Sequence, residues 1–237
     1  MLQTAIILAG GFGTRLQKVV NDLPKPMAPV NGEPFLNYQL NYLKHFGIKR
    51  VVLSVGYLAD KIQDYYKSTH HGIEINYAVE NMPMGTGGGT RIALEKCPEN
   101  EILILNGDSF FDVNLSAYYD LHRKEKSEIS LALRKVNDSS RYGTIETNTN
   151  HRIISFKEKT NNAAEGSING GVYILNKALY LKNTPAENNF SIEKDFFEKQ
   201  LNNLVIKGFE FNGYFIDIGV PEDYTKAQDD LKGFKYR

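Results

Sequence analysis

The residues best suited to chemistry stand in three short runs. The first, Leu8-Ala9-Gly10-Gly11-Phe12-Gly13-Thr14-Arg15, puts three glycines within four positions directly after an apolar stretch. Glycine lets backbone amides approach phosphate oxygens closely, and Arg15 adds a charge-assisted fork. Such a turn at the end of a first strand reads as a phosphate cradle, where open α/β sheets bind ligands. It is not a Walker A loop, because Arg15 stands where Gly-Lys-Ser/Thr would begin. Nor is it a Rossmann fingerprint, because Leu16 stands where the third glycine belongs. The second run, Leu23-Pro24-Lys25-Pro26-Met27, frames one lysine with prolines that restrict its backbone, so it loses less freedom on closing against a phosphate. The third is an apolar strand pattern ending in Asn106-Gly107-Asp108, and Asp217, between Phe215-Ile216 and Gly219, repeats the strand-then-carboxylate arrangement. Mg²⁺ prefers one or two carboxylates plus substrate phosphate and water, so these two aspartates suffice if the fold unites them. Taken singly, each run also has a plain structural use as a tight turn, a loop lysine or a turn aspartate.

Positioning these groups requires strands that end where they begin. Short β-rich runs at 5–8, 51–55, 73–79 and 102–105 alternate with helical patterns at 35–46, 59–67 and 90–96. This alternation predicts βαβ crossovers and a mostly parallel sheet. From Glu128 the pattern changes to closely spaced strands at 129–136, 142–147, 152–159 and 168–175, which predict antiparallel additions. Helices return at 191–201, with Ser191 as N-cap, and at 221–231, with Pro221 in the first turn. Residues 160–166, rich in Asn and Ala, read as a mobile loop between strands. The fold class is therefore α/β: one Rossmann-like unit with a mixed, mostly parallel central sheet and antiparallel strands in its second half. The chain of 237 residues reads as one domain, with 1–127 mainly nucleotide-binding and 128–237 mainly sugar-phosphate-binding.

Composition narrows the function classes. Lys plus Arg and Asp plus Glu each number 28, so no global basic field attracts nucleic acid or an anionic membrane. Any anion is captured by a local site. The single cysteine, Cys97, rules out an intrachain disulfide framework and fits a reducing cytosol and a packing role. The N-terminal apolar run lacks the basic flank of a signal peptide, and no stretch approaches the roughly 20 apolar residues of a membrane span. A cytoplasmic protein is expected. The five histidines sit in no constellation and read as surface or packing residues.

The order and spacing of these runs, together with Phe156-Lys157-Glu158-Lys159, Ile168-Asn169-Gly170-Gly171-Val172-Tyr173 and Phe215-Ile216-Asp217-Ile218-Gly219-Val220-Pro221-Glu222-Asp223-Tyr224, resemble the sugar-1-phosphate nucleotidyltransferase family from end to end. The resemblance implies that Leu8, Gly10, Gly11, Gly13, Thr14 and Arg15 line the triphosphate site. It implies further that Lys25 bridges the reacting phosphates and that Asp108 and Asp217 bind Mg²⁺, with Arg15, Lys25, Asp108 and Asp217 as the catalytic set. Glu158, Lys159, Asn169 and Gly170 would line the sugar-phosphate pocket, with Gly143 near the sugar. The family's nucleobase loop falls on 80–87, bringing in Glu80, Gly85 and Thr86. Within the family, Asn21 to Pro29, Leu53 to Tyr57 and Phe215 to Gly219 are most similar to members that use GTP and a manno-configured heptose 1-phosphate to make GDP-heptose for surface glycans.

Guanine carries adjacent N1–H and N2–H₂ donors that one carboxylate such as Glu80 can accept as a pair, whereas uracil and thymine offer one ring donor. This favours GTP. Mannose 1-phosphate or another hexose 1-phosphate remains the alternative acceptor, and UTP, dTTP or CTP the alternative donor. A nucleotide-sugar-dependent glycosyltransferase typically carries Asp-x-Asp, which Asp108-Ser109-Phe110 lacks. A catalytically silent nucleotide-sugar sensor would have no need of the Arg15, Lys25, Asp108 and Asp217 set. The chain ends shortly after Asp217, so no large C-terminal β-helix is expected. Oligomeric state is open, and the sequence leaves room for a homo-oligomer.

Overall fold

The alternating pattern becomes one mixed sheet in the computed structural model, which describes residues 2–11, 16, 20, 22–157, 164–186 and 189–236. Strand β1 (Thr4–Leu8) leads, through a 3₁₀ turn (Lys25–Met27) and a hairpin of β2 (Pro29–Val30) and β3 (Glu33–Pro34), into helix α1 (Phe35–His45). Next come β4 (Arg50–Val55), α2 (Ala59–Tyr66), β5 (Thr69–His70), β6 (Ile73–Val79), α3 (Gly85–Glu95) and β7 (Glu101–Asn106). They are followed by β8 (Ser109–Phe111), α4 (Leu115–Lys124), β9 (Ile129–Val136), β10 (Thr144–Thr147), β11 (Ile153–Lys157), β12 (Gly166–Asn176) and α5 (Lys177–Asn183). A π-helical segment (Ile192–Phe197) runs into α6 (Glu198–Gln200), and the described chain closes with β13 (Ile206–Phe211), β14 (Phe215–Asp217) and α7 (Pro221–Asp230).

β1 lies parallel between β4 and β7, and β4 pairs parallel with β6. β12 joins β7 antiparallel and carries β9 and β10, so the second half extends the same sheet. β13 then adds parallel to β9. Alternating side chains send Ile7, Leu53, Leu103 and Leu105 to one face and Ile6, Val52, Ile102 and Ile104 to the other. Leu36, Leu40 and Leu43 of α1 cover the first face, and Ala93 and Leu94 of α3 with Phe196 and Phe197 cover the second. Burial on both sides explains why these strands read as continuous apolar runs.

Three local differences have physical causes. The helix expected at 90–96 begins earlier, at Gly85. Glycine is a poor helix former, but this turn packs so tightly that a Cβ on Gly87 would lie 2.2 Å from the Phe190 ring. Tertiary contact overrides propensity there. Helices α4 and α5, not legible from periodicity, start at asparagine caps: Asn114 Oδ1 accepts from Ala117 N at 3.0 Å, and Asn176 Oδ1 from Leu179 N at 3.0 Å. Ser191 does cap its helix, its Oγ accepting from Lys194 N at 3.2 Å, but the first six residues wind as a π-helix. The mobile loop expected at 160–166 lies largely outside the described residues. Cys97 is buried, its Sγ donating to Ala93 O, and burial pushes the thiol up to about 12, consistent with packing. No helix among the described residues is long and apolar enough to cross a membrane.

Candidate active site

At the C-terminal edge of β1, β4 and β7 opens a cleft of about 370 Å³, lined in part by Leu8, Gly10, Gly11, Lys25, Glu80, Gly85, Thr86 and Asp108. The strands hand their loops over in register. Ala9 N donates to Ser54 O (2.8 Å), Gly107 N to Leu8 O (2.9 Å) and Glu80 N to Val55 O (2.8 Å), each one step beyond its strand. A side chain at position 107 would put its Cβ 2.5 Å from Leu8 O, so glycine there lets the Asp108 turn lie against β1.

The charged centre is assembled from three distant segments. Lys25 projects from the proline-framed 3₁₀ turn, whose leading Pro24 is held at φ −65°. Its Nζ lies 2.7 Å from Asp108 Oδ2 and 3.8 Å from Asp217 Oδ1. β14 pairs antiparallel with β8, setting Asp217 opposite Ser109, and Ile218 N donates to Asp108 O at 2.9 Å. The fully buried Gln39 of α1 donates its amide to both Asn106 O and Ser109 O, each at 2.7 Å, clamping the turn that carries Asp108. Asp217 Oδ1 accepts from Gly219 N at 2.7 Å.

Electrostatics follow from this crowding. Burial holds the Asp217 carboxyl above the ordinary carboxylate range, and the neighbouring Asp108 charge pushes the same way. Lys25, the Gly219 N–H and Arg141 oppose the shift. Two carboxylates around one cation form a hard oxygen donor set, which with substrate phosphate and water fits Mg²⁺.

Glu80, half-buried, lines the cleft. Its Oε1 accepts from Ser54 Oγ at 3.2 Å and its Oε2 from Met84 N at 3.0 Å. Burial raises its pKa, and those two hydrogen bonds resist the rise. A Cβ on Gly10 would come 2.7 Å from Glu80 Oε1, and one on Gly89 would come 2.6 Å from the same atom. Glycines from two separate segments, the turn after β1 and helix α3, therefore clear space for one carboxylate. A Cβ on Gly11 would meet nothing within 4 Å, so its face stays open to the cleft.

The remaining expected residues are distributed unevenly. Gly143 lies outside the cleft at the head of β10, with Lys157 O behind it, while its neighbour Tyr142 packs edge-on to Phe215 with ring centroids 6.3 Å apart. Asn169 and Gly170 sit where the β12 register against β9 shifts, and a Cβ on Gly170 would enter the Phe111 ring. Gly13, Thr14, Arg15, Glu158 and Lys159 lie outside the described residues. Sequence reasoning missed Ser54, Asn106 and Asn189 in the cleft and Gln39 behind it. Of these only Ser54, a lone polar residue between Leu53 and Val55 of β4, left a signal in the sequence.

A glycine-lined cleft at the edge of an open α/β sheet, closed by a lysine between two aspartates, defines a phosphate-handling protein. The family model for nucleotidyl transferases matches residues 4–233, and the chain belongs to that family. Over 230 residues it is 46% identical to D-glycero-alpha-D-manno-heptose 1-phosphate guanylyltransferase of Aneurinibacillus thermoaerophilus, spanning 97% of this chain and 99% of the relative. The crystal structure of HddC from Yersinia pseudotuberculosis complexed with GMP-PN matches with a TM-score of 0.86 at 34% identity, covering 97% of this chain and all of that one. Mannose-1-phosphate guanylyltransferase of Mycobacterium tuberculosis is 31% identical over 230 residues, which cover 64% of its length.

Proposed function

We propose that the chain transfers GMP from GTP to D-glycero-α-D-manno-heptose 1-phosphate, giving GDP-heptose and pyrophosphate in the cytoplasm for surface glycan assembly. The observation that carries this reading is the near-full-length 46% identity to a heptose 1-phosphate guanylyltransferase. The seat of Glu80 supports the guanine half. An ionised carboxylate offers about four lone-pair sites, so with Ser54 and Met84 served it retains capacity for guanine N1–H and N2–H₂.

Residues 1–127 would chiefly bind the nucleotide and 128–237 the sugar phosphate, within one compact unit. An oxygen of the sugar phosphate attacks the α-phosphorus, the bond to the bridging oxygen breaks, and its electron pair leaves with pyrophosphate. A phosphate monoester is already a competent nucleophile near neutrality, so the barrier lies in bringing two polyanions together. Backbone amides of Gly10, Gly11 and Gly13 with Thr14 and Arg15 hold the triphosphate, Gly85 and Thr86 border the base, and Lys25 balances charge on the reacting phosphates. Asp108 and Asp217 would hold Mg²⁺, which when bound supplies Lewis-acid stabilisation of the phosphoryl charge. Lys159 would serve the acceptor phosphate, and Glu158, Asn169, Gly170 and Gly143 the sugar.

Pyrophosphate release with GTP, ATP, UTP, dTTP and CTP, followed by heptose, mannose and glucose 1-phosphates, tests both halves. Preference for UTP or dTTP discards the Glu80 argument. GTP with mannose 1-phosphate, the alternative suggested by the 31% identical relative, keeps Glu80 and overturns the heptose assignment.

A further inference from the structure

The π-helical segment contributes a carboxylate outside the charged centre. Glu193 Oε2 accepts from Thr86 Oγ1 at 3.3 Å and from Ser191 Oγ at 2.9 Å. Its Oε1 accepts from the fully buried Tyr173 hydroxyl at 3.3 Å. Tyr173 Oη in turn accepts from Asn169 Nδ2 at 2.8 Å, and Asn169 Oδ1 accepts from Gly171 N at 3.0 Å. The same segment is stitched to the start of α3 by Phe190 N to Met84 O (3.1 Å), Gly87 N to Phe190 O (2.8 Å) and Ile192 N to Thr86 Oγ1 (3.0 Å).

This chain of hydrogen bonds has a direction. An ionised carboxylate only accepts, so all three hydroxyls facing it, those of Thr86, Ser191 and Tyr173, must donate. Tyr173, having donated, offers Asn169 a lone pair, which turns the asparagine NH₂ towards the ring and its carbonyl oxygen towards Gly171. At the other end Thr86 donates to Glu193 and accepts from Ile192. We propose that Glu193 is a positioning residue for both substrates: one carboxylate sets Thr86 at the edge of the nucleotide cleft and, through Tyr173, fixes which way Asn169 presents its amide to the acceptor. The assignment rests on the roles given above to Thr86 and Asn169.

Glu193→Gln keeps the size of the side chain but replaces one acceptor by a donor. If the amide NH₂ faces Tyr173, the hydroxyl loses its acceptor and the Asn169 amide is free to turn over. Steady-state kinetics should therefore show KM for the sugar 1-phosphate rising about tenfold in Glu193→Gln, the scale of one neutral hydrogen bond, with kcat within about twofold. Tyr173→Phe should produce the same rise, and the double variant no more than either alone, because both cut the same chain. Thr86→Val should raise KM for GTP and leave that for the sugar 1-phosphate unchanged.

An unchanged sugar 1-phosphate KM in Glu193→Gln with a lowered melting temperature would reduce the residue to a structural prop and overturn the proposal. Additive effects in the double variant would overturn it as well. If Glu193→Gln does not fold, Tyr173→Phe carries the test, since an unchanged sugar 1-phosphate KM there breaks the link to Asn169. Wild-type turnover of GTP with a sugar 1-phosphate tests the functional reading, and variant-to-wild-type ratios with that same pair test Glu193.

Discussion

Replacing Gly219 by alanine probes the charged centre while leaving the identity of every side chain in it unchanged. An added Cβ would lie 2.7 Å from Asp217 Oδ1 and 2.7 Å from Lys25 Nζ, roughly 0.7 Å short of the 3.4 Å at which ordinary contact begins. The backbone accepts alanine, because Gly219 is not among the positive-φ glycines. Both crowded atoms end side chains, so they move and the fold stays. The Gly219 N–H bond to Asp217 then lengthens from 2.7 Å, and Lys25 swings away from Asp217. A hydrogen bond to a charged group is worth about 1.5–3 kcal/mol, and losing one preorganised catalytic donor costs about 10²–10³ in kcat. The expected outcome is a fall in kcat/KM of about 10²-fold, equivalent to about 2.7 kcal/mol, with a melting temperature within a few degrees of wild type. Pyrophosphate release over a range of GTP concentrations, paired with thermal melting, reads both quantities. Wild-type kcat/KM in a correctly folded variant would refute the reasoning, because the Lys25–Asp217 geometry would then be irrelevant to turnover.

Asp108→Asn and Asp217→Asn should each lower kcat by orders of magnitude and raise the Mg²⁺ concentration needed for half-maximal activity; near-normal turnover of both at limiting Mg²⁺ would remove them as metal ligands. Asp217→Asn should also raise the melting temperature of the metal-free protein at neutral pH. The raised pKa of Asp217 means that the folded state binds this proton more tightly than the unfolded chain. That contribution is complete below about pH 4 and is lost as pH rises through the folded-state value, where only the wild type must ionise the group. A difference that widened on acidification would reverse the assigned sign. Lys25→Ala and Arg15→Ala should each cost about 2–4 kcal/mol in kcat/KM through lost phosphate stabilisation, and wild-type kinetics for either would exclude it from the site. Glu80→Gln should narrow the preference for GTP over other triphosphates by about tenfold or more, measured as a ratio of kcat/KM values; an unchanged ratio would separate Glu80 from base recognition.

The sequence by itself determined the α/β class and the strand ends, because both rest on local signals. Apolar runs of strand length at 5–8, 51–55 and 102–105 can be buried on both faces only in a helix-covered sheet, and the glycine and aspartate turns mark where those strands must stop. It also supplied Lys25 between its prolines. What it left open was juxtaposition. Asp108 and Asp217 lie more than a hundred positions apart, and their meeting at Lys25 depends on β14 pairing with β8, a short ladder with no periodicity of its own. The surroundings of Glu80 were equally beyond the sequence, because Gly10, Gly89 and Ser54 that crowd its carboxylate come from three separate segments. The start of α3 contradicted glycine's propensity because Phe190, far along the chain, fills the space that side chains would need. Gln39 and Glu193 carried no motif, since their roles consist of bonds to backbone and side chains that only the folded chain brings within reach. Propensity and burial pattern act over a few neighbouring residues and are written in the sequence, whereas long-range hydrogen bonds and steric clearances arise from packing and become legible only in three dimensions.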